Sequence, residues 1–440
     1  MKKSLIFLPV VALALTACNN TEDLVFEGSA AERLEQSKAD AKSALTADGG
    51  LWSMEYFANS DEPGYVMLFR FSDNGSVEIS GDHKWIGGKF TQETSLWDVV
   101  SDDGTVLTFN TYNKVFHIFS TPENIVGPDA PTNPETGDDI NELGYGHNGD
   151  YEFQVMSHDA DHVRLVGKKR GYNIYLRHLP ADTDMKAYLE GVHAKSNVFG
   201  AKFNDLIMTD EAGNQYQISD LSTGIPSVFP LAGDAVSQTT KANGIFTETG
   251  FRFATHLTVK RPDNSEWELT ELKWNEDGTL SNGAVHVVAP SPVANFIRQD
   301  LKWVVDKESM TGQFAEAYKA ADEAVKEMFG ANKSIGVIDF SYTRNDNVMQ
   351  PCIATRPAGK ICRDFLSYNG AETGTEITVS YVSSNSTADR YNKEIPEYWA
   401  FKQLLFNDLK FENLDPMNPA SIRVSLASDP ESHFEIALSN

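Results

Sequence analysis

The compact group of metal-capable side chains in this sequence is His158-Asp159-Ala160-Asp161-His162. Two imidazoles four residues apart converge on one metal when a helix aligns them, but here both flanking segments alternate as strands. The pentapeptide therefore reads as a hairpin turn, which favours aspartate, and no metal ligand is assigned. Lys168-Lys169-Arg170 follows Gly167 as a tight basic cluster. It reads as solvated surface, with an anion seat as the alternative. The HExxH zinc motif, the P-loop, the GxGxxG fingerprint and the GxSxG elbow are all absent from the sequence. With 63 acidic residues, any two carboxylates could be nominated as a glycosidase pair, so the nomination has no force. No catalytic residue and no cofactor are assigned, and the chain is expected not to be an enzyme.

The three cysteines carry more information. Lys2 and Lys3 precede an apolar run from Ile6 to Leu15, and small residues then lead to Cys18. That is the layout of a secretory signal. The run is too short for a membrane span, which takes about 20 residues. Its ending, Leu15-Thr16-Ala17-Cys18, resembles the bacterial lipobox, in which the signal is cut before the cysteine and that cysteine is lipidated. Cys18 is thus the expected lipidation site. Cys352 and Cys362 flank Arg356-Pro357-Ala358-Gly359-Lys360, a turn composition that pairs two short strands. They are expected to form a disulfide, which would contribute about 2 to 3 kcal/mol outside the cytoplasm. Two buried free thiols are the alternative.

The formal charge of −26 becomes −28 once Lys2 and Lys3 leave with the signal. Such a surface repels phosphate backbones, so nucleic acid is not an expected partner. Hydrophobic residues make up 41% of the chain, enough for a sizeable core in a protein of this length. The organisation read from the sequence is a signal peptide over 1–17 and a lipidated tether over 18–28. An N-terminal helix and antiparallel β domain over 29–180 and a C-terminal β-rich α+β domain over 181–440 follow.

Within that plan, Ser29-Ala30-Ala31-Glu32 is a capping box for a helix to about Ala47. From Leu51-Trp52 the period changes to two: Tyr65, Met67, Phe69 and Phe71 alternate with Val66, Leu68 and Arg70. Asn74-Gly75 and Asp103-Gly104 are hairpin turns. Strands are expected at Val115 to Phe119, Tyr151 to Val155, Val163 to Val166 and Tyr172 to Leu176, giving about eight to ten in an antiparallel meander. Closing it would make a lipocalin-like barrel without exposed edges. Thr121 to Asp150 lacks periodicity and reads as a long loop, with Tyr145 as a tether to the barrel rim. Ala181 to Asn197 reads as a helix, and Leu221 to Gly244 as an extended excursion. Further helices are expected at Ser291-Pro292, over Thr311 to Phe329 and from Pro396, among strands that run to the C-terminus. Trp52, Trp85, Trp97, Trp267 and Trp274 are assigned to the core. Phe71 to Val77 and Trp274 to Leu280 share an acidic turn ending in glycine, either from two related β-units or from recurring turn chemistry. The fold class is mainly β with flanking helices, a β-rich α+β protein.

Phe26, Ala31-Glu32-Arg33-Leu34, Leu51-Trp52 to Tyr56, Gly149-Asp150-Tyr151-Glu152-Phe153 and Gly167-Lys168-Lys169, read together, resemble an uncharacterised family of Bacteroidetes lipoproteins. The resemblance covers nearly the whole chain, with its landmarks in the N-terminal half; the family's paired glycine before the first long strand is here Pro63-Gly64. It implies an outer-membrane, lipid-anchored protein beside a SusC/SusD-type transporter pair. Glu22 and Asp23 resemble an acidic export signal, which favours the cell surface over the periplasmic face. The expected function is a non-catalytic binding or accessory component of a nutrient-uptake system. A hydrolase without a recognisable motif and a fimbrial or structural surface lipoprotein are the alternatives. The ligand is not named by the sequence.

Overall fold

The computed structural model describes residues 28–121, 147–196, 205–233, 239–283, 285–345 and 347–439. Cys18, the signal, Tyr145 and most of the Thr121 to Asp150 loop lie outside the described residues. Helix α1 (Ala30–Thr46) starts at the expected capping box: Ser29 Oγ accepts from Glu32 N at 3.2 Å, and Ser29 N donates to Glu32 Oε2 at 2.8 Å. Its buried residues, Ala41 and Leu45, face the first sheet.

That sheet contains β1 (Leu51–Tyr56), β2 (Tyr65–Phe71), β3 (Ser76–Gly81), β4 (Thr91–Ser101) and β5 (Thr105–Phe109), then β6 (Glu152–His158), β7 (His162–Gly167) and β8 (Asn173–His178). Each pairs antiparallel with its neighbour, and β8 returns to β1 with Trp52 opposite His178, so the meander closes into an eight-stranded barrel. The alternation read from β2 sets the inside: Met67, Phe69 and Phe71 fill the barrel with Trp52, Met54, Tyr56, Phe109 and Phe153, all 2% exposed or less. This interior is packed with side chains, unlike a ligand-holding barrel. Val115 to Phe119 is not the expected strand. Residues Lys114–His117 form a short helix, α2, because Asn113 caps it with its side chain on Val115 N, and Val115, Phe116 and Phe119 drop into the barrel core.

Helix α3 (Met185–Ser196), capped by Asp184, lies on the outside of the barrel, where Met185 and Leu189 cover Leu51 and Leu68. That covers the outward face of β1 at Leu51. Residues 181–440 then hold two separate sheets. The first is β9 (Asp205–Asp210), β10 (Gln215–Ser219), β11 (Ser227–Pro230), β12 (Thr240–Lys241), β13 (Gly244–Thr247), β14 (Gly250–Lys260), β15 (Glu266–Trp274), β16 (Leu280–Ser281) and β17 (Val285–Val288). Its order is β12-β11-β10-β9-β17-β16-β15-β14-β13, nine strands. The expected excursion over Leu221 to Gly244 thus contains β11 and β12, which pair through Ser227 opposite Lys241. The sheet docks on the first barrel by main-chain and side-chain bonds: Gly64 N donates to Gly244 O at 2.8 Å, and Asn243 Nδ2 to Asn59 O at 2.8 Å.

After α4 (Pro292–Phe296), which Ser291 caps, the second sheet runs β18 (Trp303–Asp306), β19 (Asp339–Asn345), β20 (Val348–Thr355), β21 (Cys362–Asn369), β22 (Glu376–Ser384), β23 (Asp408–Asn413), β24 (Ser421–Leu426) and β25 (Asp429–Leu438). It is a second closed barrel of eight strands, with Trp303 opposite Leu438 at the seam. Helix α5 (Gly312–Phe329) follows β18, and α6 (Ser386–Glu394) and α7 (Pro396–Leu404) follow β22. The stripe read along α5 delivers Phe314, Ala321 and Val325 to this core. Met417, between β23 and β24, is fully buried in the core of the nine-stranded sheet, and Ala289 N donates to Pro416 O at 2.7 Å.

The echo between Phe71 to Val77 and Trp274 to Leu280 is turn chemistry. In both, a glycine at φ 82 or 83 donates its amide three residues back, and a hydroxyl residue caps onto Asn74 or Asp277. The same backbone pattern closes Asp210 to Asn214 and Arg261 to Ser265, so it marks hairpins rather than duplicated units.

Candidate functional site

A cleft of about 230 Å3 opens where the first barrel, α3 and the nine-stranded sheet meet. Its walls come from Pro63 to Val66, from Asp82-His83-Lys84 just past β3, from Leu189 to Ser196 on α3, and from Ser222 to Gly224 and Gly244 to Phe246. Such a seam between units is where small-molecule sites commonly form. Leu189, Val192, Ile245 and Phe246 supply apolar surface; Asp82, His83, Lys84, His193, Ser196, Ser222 and Thr223 supply polar groups.

His83 is the informative member. It follows β3 because Gly81 leaves room for α2: a Cβ at Gly81 would meet Val115 Cγ1 at 2.8 Å. His83 Nε2 lies 2.8 Å from Val115 O. A carbonyl can only accept, so Nε2 carries the proton and Nδ1 carries a lone pair. Nδ1 is buried and has no hydrogen-bond partner among the described residues, and the residue is 7% exposed. Burial, the largest influence, lowers its pKa to about 4, against the Val115 hydrogen bond and the Asp82 charge, which pull it up. The ring is a neutral acceptor at ordinary pH. Tyr65 and Phe119 fix its plane, with ring centres at 5.7 and 4.8 Å.

On the opposite wall His193 Nε2 meets Asp82 Oδ1 at 2.9 Å. The hydrogen bond to Asp82 raises the His193 pKa, outweighing burial, so this ring favours the cation. Ser196 Oγ donates to His193 O at 2.9 Å, so this hydroxyl is spent on the backbone rather than aimed at an imidazole nitrogen. Behind the cleft a second network braces the barrel lip. Glu62 accepts from Tyr65 Oη at 2.7 Å and Asn59 Nδ2 at 2.8 Å, with His147 Nδ1 at 2.7 Å, and Trp85 Nε1 donates to Tyr65 Oη at 2.8 Å.

The residues singled out from sequence sit elsewhere. Cys18 is outside the described residues. Cys352 and Cys362 are free, which corrects the expected disulfide. The hairpin turn is present, but Cys352 pairs with Phe365 and Cys362 with Thr355, an odd offset along β20 and β21 that puts the thiols on opposite faces. His158 and His162 end β6 and begin β7; Asp159 Oδ1 accepts from Asp161 N and His162 N at 2.8 and 2.7 Å and closes the turn.

Lys168-Lys169-Arg170 does hold an anion, and it is the protein's own. Asp150 Oδ1 and Oδ2 accept from Lys169 N and Arg170 N at 3.1 and 2.8 Å. Tyr56 Oη donates to Asp150 O at 3.0 Å, and a Cβ on Gly149 would stand 2.1 Å from that hydroxyl. Tyr56, Gly149-Asp150 and Gly167-Lys168-Lys169, scattered in sequence, are therefore one structural lock. Of the five tryptophans assigned to the core, Trp52 and Trp97 are buried, while Trp85, Trp267 and Trp274 are partly covered. Asp82, His83 and His193 were not legible: the contact between Asp82 and His193 spans 111 positions and leaves no local pattern.

The sequence matches no protein of curated function. Among solved structures, it aligns with the β subunit of DNA polymerase from Streptococcus pyogenes at 9% identity, over 91% of this chain and 97% of that one, with a TM-score of 0.12. A β sliding clamp from C. crescentus aligns at 12% identity, over 88% and 90%, with a TM-score of 0.11. Scores that low carry nothing about this fold or its function. Residues 22–276 match DUF4302, described as a domain of unknown function; the match takes in the first barrel and both walls of the cleft and ends in the turn after β15. With more than half of its length matched, the chain belongs to the DUF4302 family.

Proposed function

We propose that this protein is a lipid-anchored binding component of a bacterial envelope nutrient-uptake system, with the His83 cleft as its ligand seat. The observation that carries the reading is the buried Nδ1 of a neutral His83 at the cleft, which has no partner among the described residues. A desolvated acceptor left without a donor costs about 1 to 3 kcal/mol, and a ligand donating to it recovers that loss. Binding is favoured over turnover because the polar groups are not arranged as an acid, base and nucleophile. His193 is tied to Asp82 and held toward its charged form, and the Ser196 hydroxyl is committed to a carbonyl.

The address follows from Leu15-Thr16-Ala17-Cys18 and the Bacteroidetes resemblance, which together support an outer-membrane lipoprotein working beside a SusC/SusD-type pair, displayed at the cell surface. The test is a calorimetric screen of the full-length protein in detergent against mono- and oligosaccharides, short peptides and nucleosides. Binding of one class, weakened at least tenfold by His83→Phe with no product formed, supports the reading. Turnover of any of them, abolished by His193→Gln, replaces it with a hydrolase.

A further inference from the structure

A second recess lies on the same seam between units. It is built from β7 and β8 on the barrel side and β14 and β15 on the sheet side, and two adjoining hollows of about 570 and 330 Å3 share His162, Tyr175, Arg177 and Arg252. Its shape comes from an irregularity in β14. Arg252 pairs with Glu271 and Leu257 with Leu269, so four residues on β14 stand against one on β15. Bulges of this kind re-aim side chains and recur beside binding sites. Here Ala254 joins the core of the barrel while Phe253 stays in the core of the sheet, which leaves Thr255 and the Arg252 head along the groove.

Among the described residues, the two arginines engage few of their donors in hydrogen bonds. Each guanidinium carries five N–H groups. Arg177 uses one, from Nη2 to Thr249 Oγ1 at 3.1 Å. Arg252 makes no well-aligned hydrogen bond among the described residues. Its Nε approaches Glu55 Oε2 at 2.8 Å, yet neither atom is in a properly angled bond, and Glu271 is 3.6 Å away. Glu55 is nearly enclosed beneath it, and the guanidinium lies over the Tyr175 ring at 4.8 Å. The aromatic ring and the enclosed carboxylate together hold the guanidinium in place at the groove. Arg164 and Lys273 add positive charge at the margins, against Glu55, Asp159 and Glu271. In a chain with 63 acids and 37 bases, four cations outnumber three carboxylates here.

We propose that this groove is a second binding site, distinct from the His83 cleft, for a small polar ligand whose oxyanion is clamped between Arg177 and Arg252. Planar guanidinium forks match carboxylate, sulfate and phosphate oxygens in pairs, which a lone ammonium does not.

The test titrates the full-length protein in detergent with glucuronate, inorganic sulfate, inorganic phosphate and, as the neutral counterpart, glucose. Glucuronate or an inorganic anion is expected to bind, with glucose at least tenfold weaker. Arg177→Gln is expected to weaken the anion at least tenfold and Arg252→Gln by as much. Lys168→Gln and His83→Phe are expected to leave it unchanged, so failure here is separable from failure at the other cleft. Glucuronate alone binding assigns an acidic sugar; the inorganic ions binding equally assigns a free oxyanion. If Arg252→Gln fails to fold because Glu55 is stranded, Arg177→Gln decides. The proposal is overturned if none of the anions binds the wild type, if Arg177→Gln binds them as the wild type does, or if glucose competes equally.

Discussion

The Lys402 ammonium lies 2.6 Å from the Asp364 carboxylate, and neither side chain reaches solvent. Asp364 also accepts from Ser384 Oγ at 2.6 Å and Asn392 Nδ2 at 3.3 Å, and Lys402 sits over the Tyr398 ring at 4.5 Å. Burial pulls the Lys402 pKa down and the carboxylate pulls it back up. The pair therefore ties α7 and α6 to β21 and β22 inside the second barrel. Removing one partner strands the other charge.

Asp364→Ala is accordingly expected to destabilise the second barrel by about 3 to 5 kcal/mol in urea unfolding. Asp364→Leu combined with Lys402→Met, which removes both charges, should lose far less. Equal losses in the two variants would mean that the charges are not coupled.

The depressed pKa of His83 makes a signed prediction. Its folded value of about 4 lies below the 6.5 of an exposed imidazole, so between those values the unfolded chain binds the extra proton. Stability should be full above pH 6.5 and fall on acidification toward pH 4, by roughly 3 kcal/mol at most for this group. Urea midpoints at pH 7 and pH 4.5 should separate more in the wild type than in His83→Phe. A ligand that donates to Nδ1 should weaken only as the pH falls through about 4, where the folded ring itself takes the proton.

Gly149 is a steric necessity. An added methyl would stand 2.1 Å from Tyr56 Oη and 2.8 Å from Phe119 O, and the first of these atoms is held by its bond to Asp150. Gly149→Ala should cost about 1 to 3 kcal/mol, the usual range for overpacking. Adding Tyr56→Phe should recover part of the loss in urea unfolding, since Phe119 O remains in the way. No recovery would place the strain elsewhere.

How much of this was readable followed the range of the interactions. The Tyr65 to Phe71 alternation, the Ser29 capping box and the α5 stripe are local signals, and each produced the element it specified. Trp303–Asp306 was missed because four residues are too few to show a period, although it closes the second barrel. Helix α6 was missed because its residues are mostly polar and it buries only Ala388 and Tyr391. The α2 plug was misread as a strand: apolar residues at 115, 116 and 119 do not say which backbone carries them, and the Asn113 cap decides it. The cleft was invisible for a different reason. Asp82 and His193 come together only after the barrel closes and α3 lies across it.

The two remaining cysteines offer a direct check on the strand register. Cys362 joins Ile353 in the inner core, whereas Cys352 lies 3.8 Å from Ser341 Oγ on the other face. An offset of three residues separates their backbone positions by about 10 Å, beyond the roughly 7 Å a disulfide can span. Burial also raises both thiol pKa values, which suppresses the reactive thiolate. In folded protein, both should therefore react slowly with iodoacetamide. After denaturation without reductant, mass measurement should find both alkylated. A mass showing the two joined would mean that β20 and β21 pair in a different register.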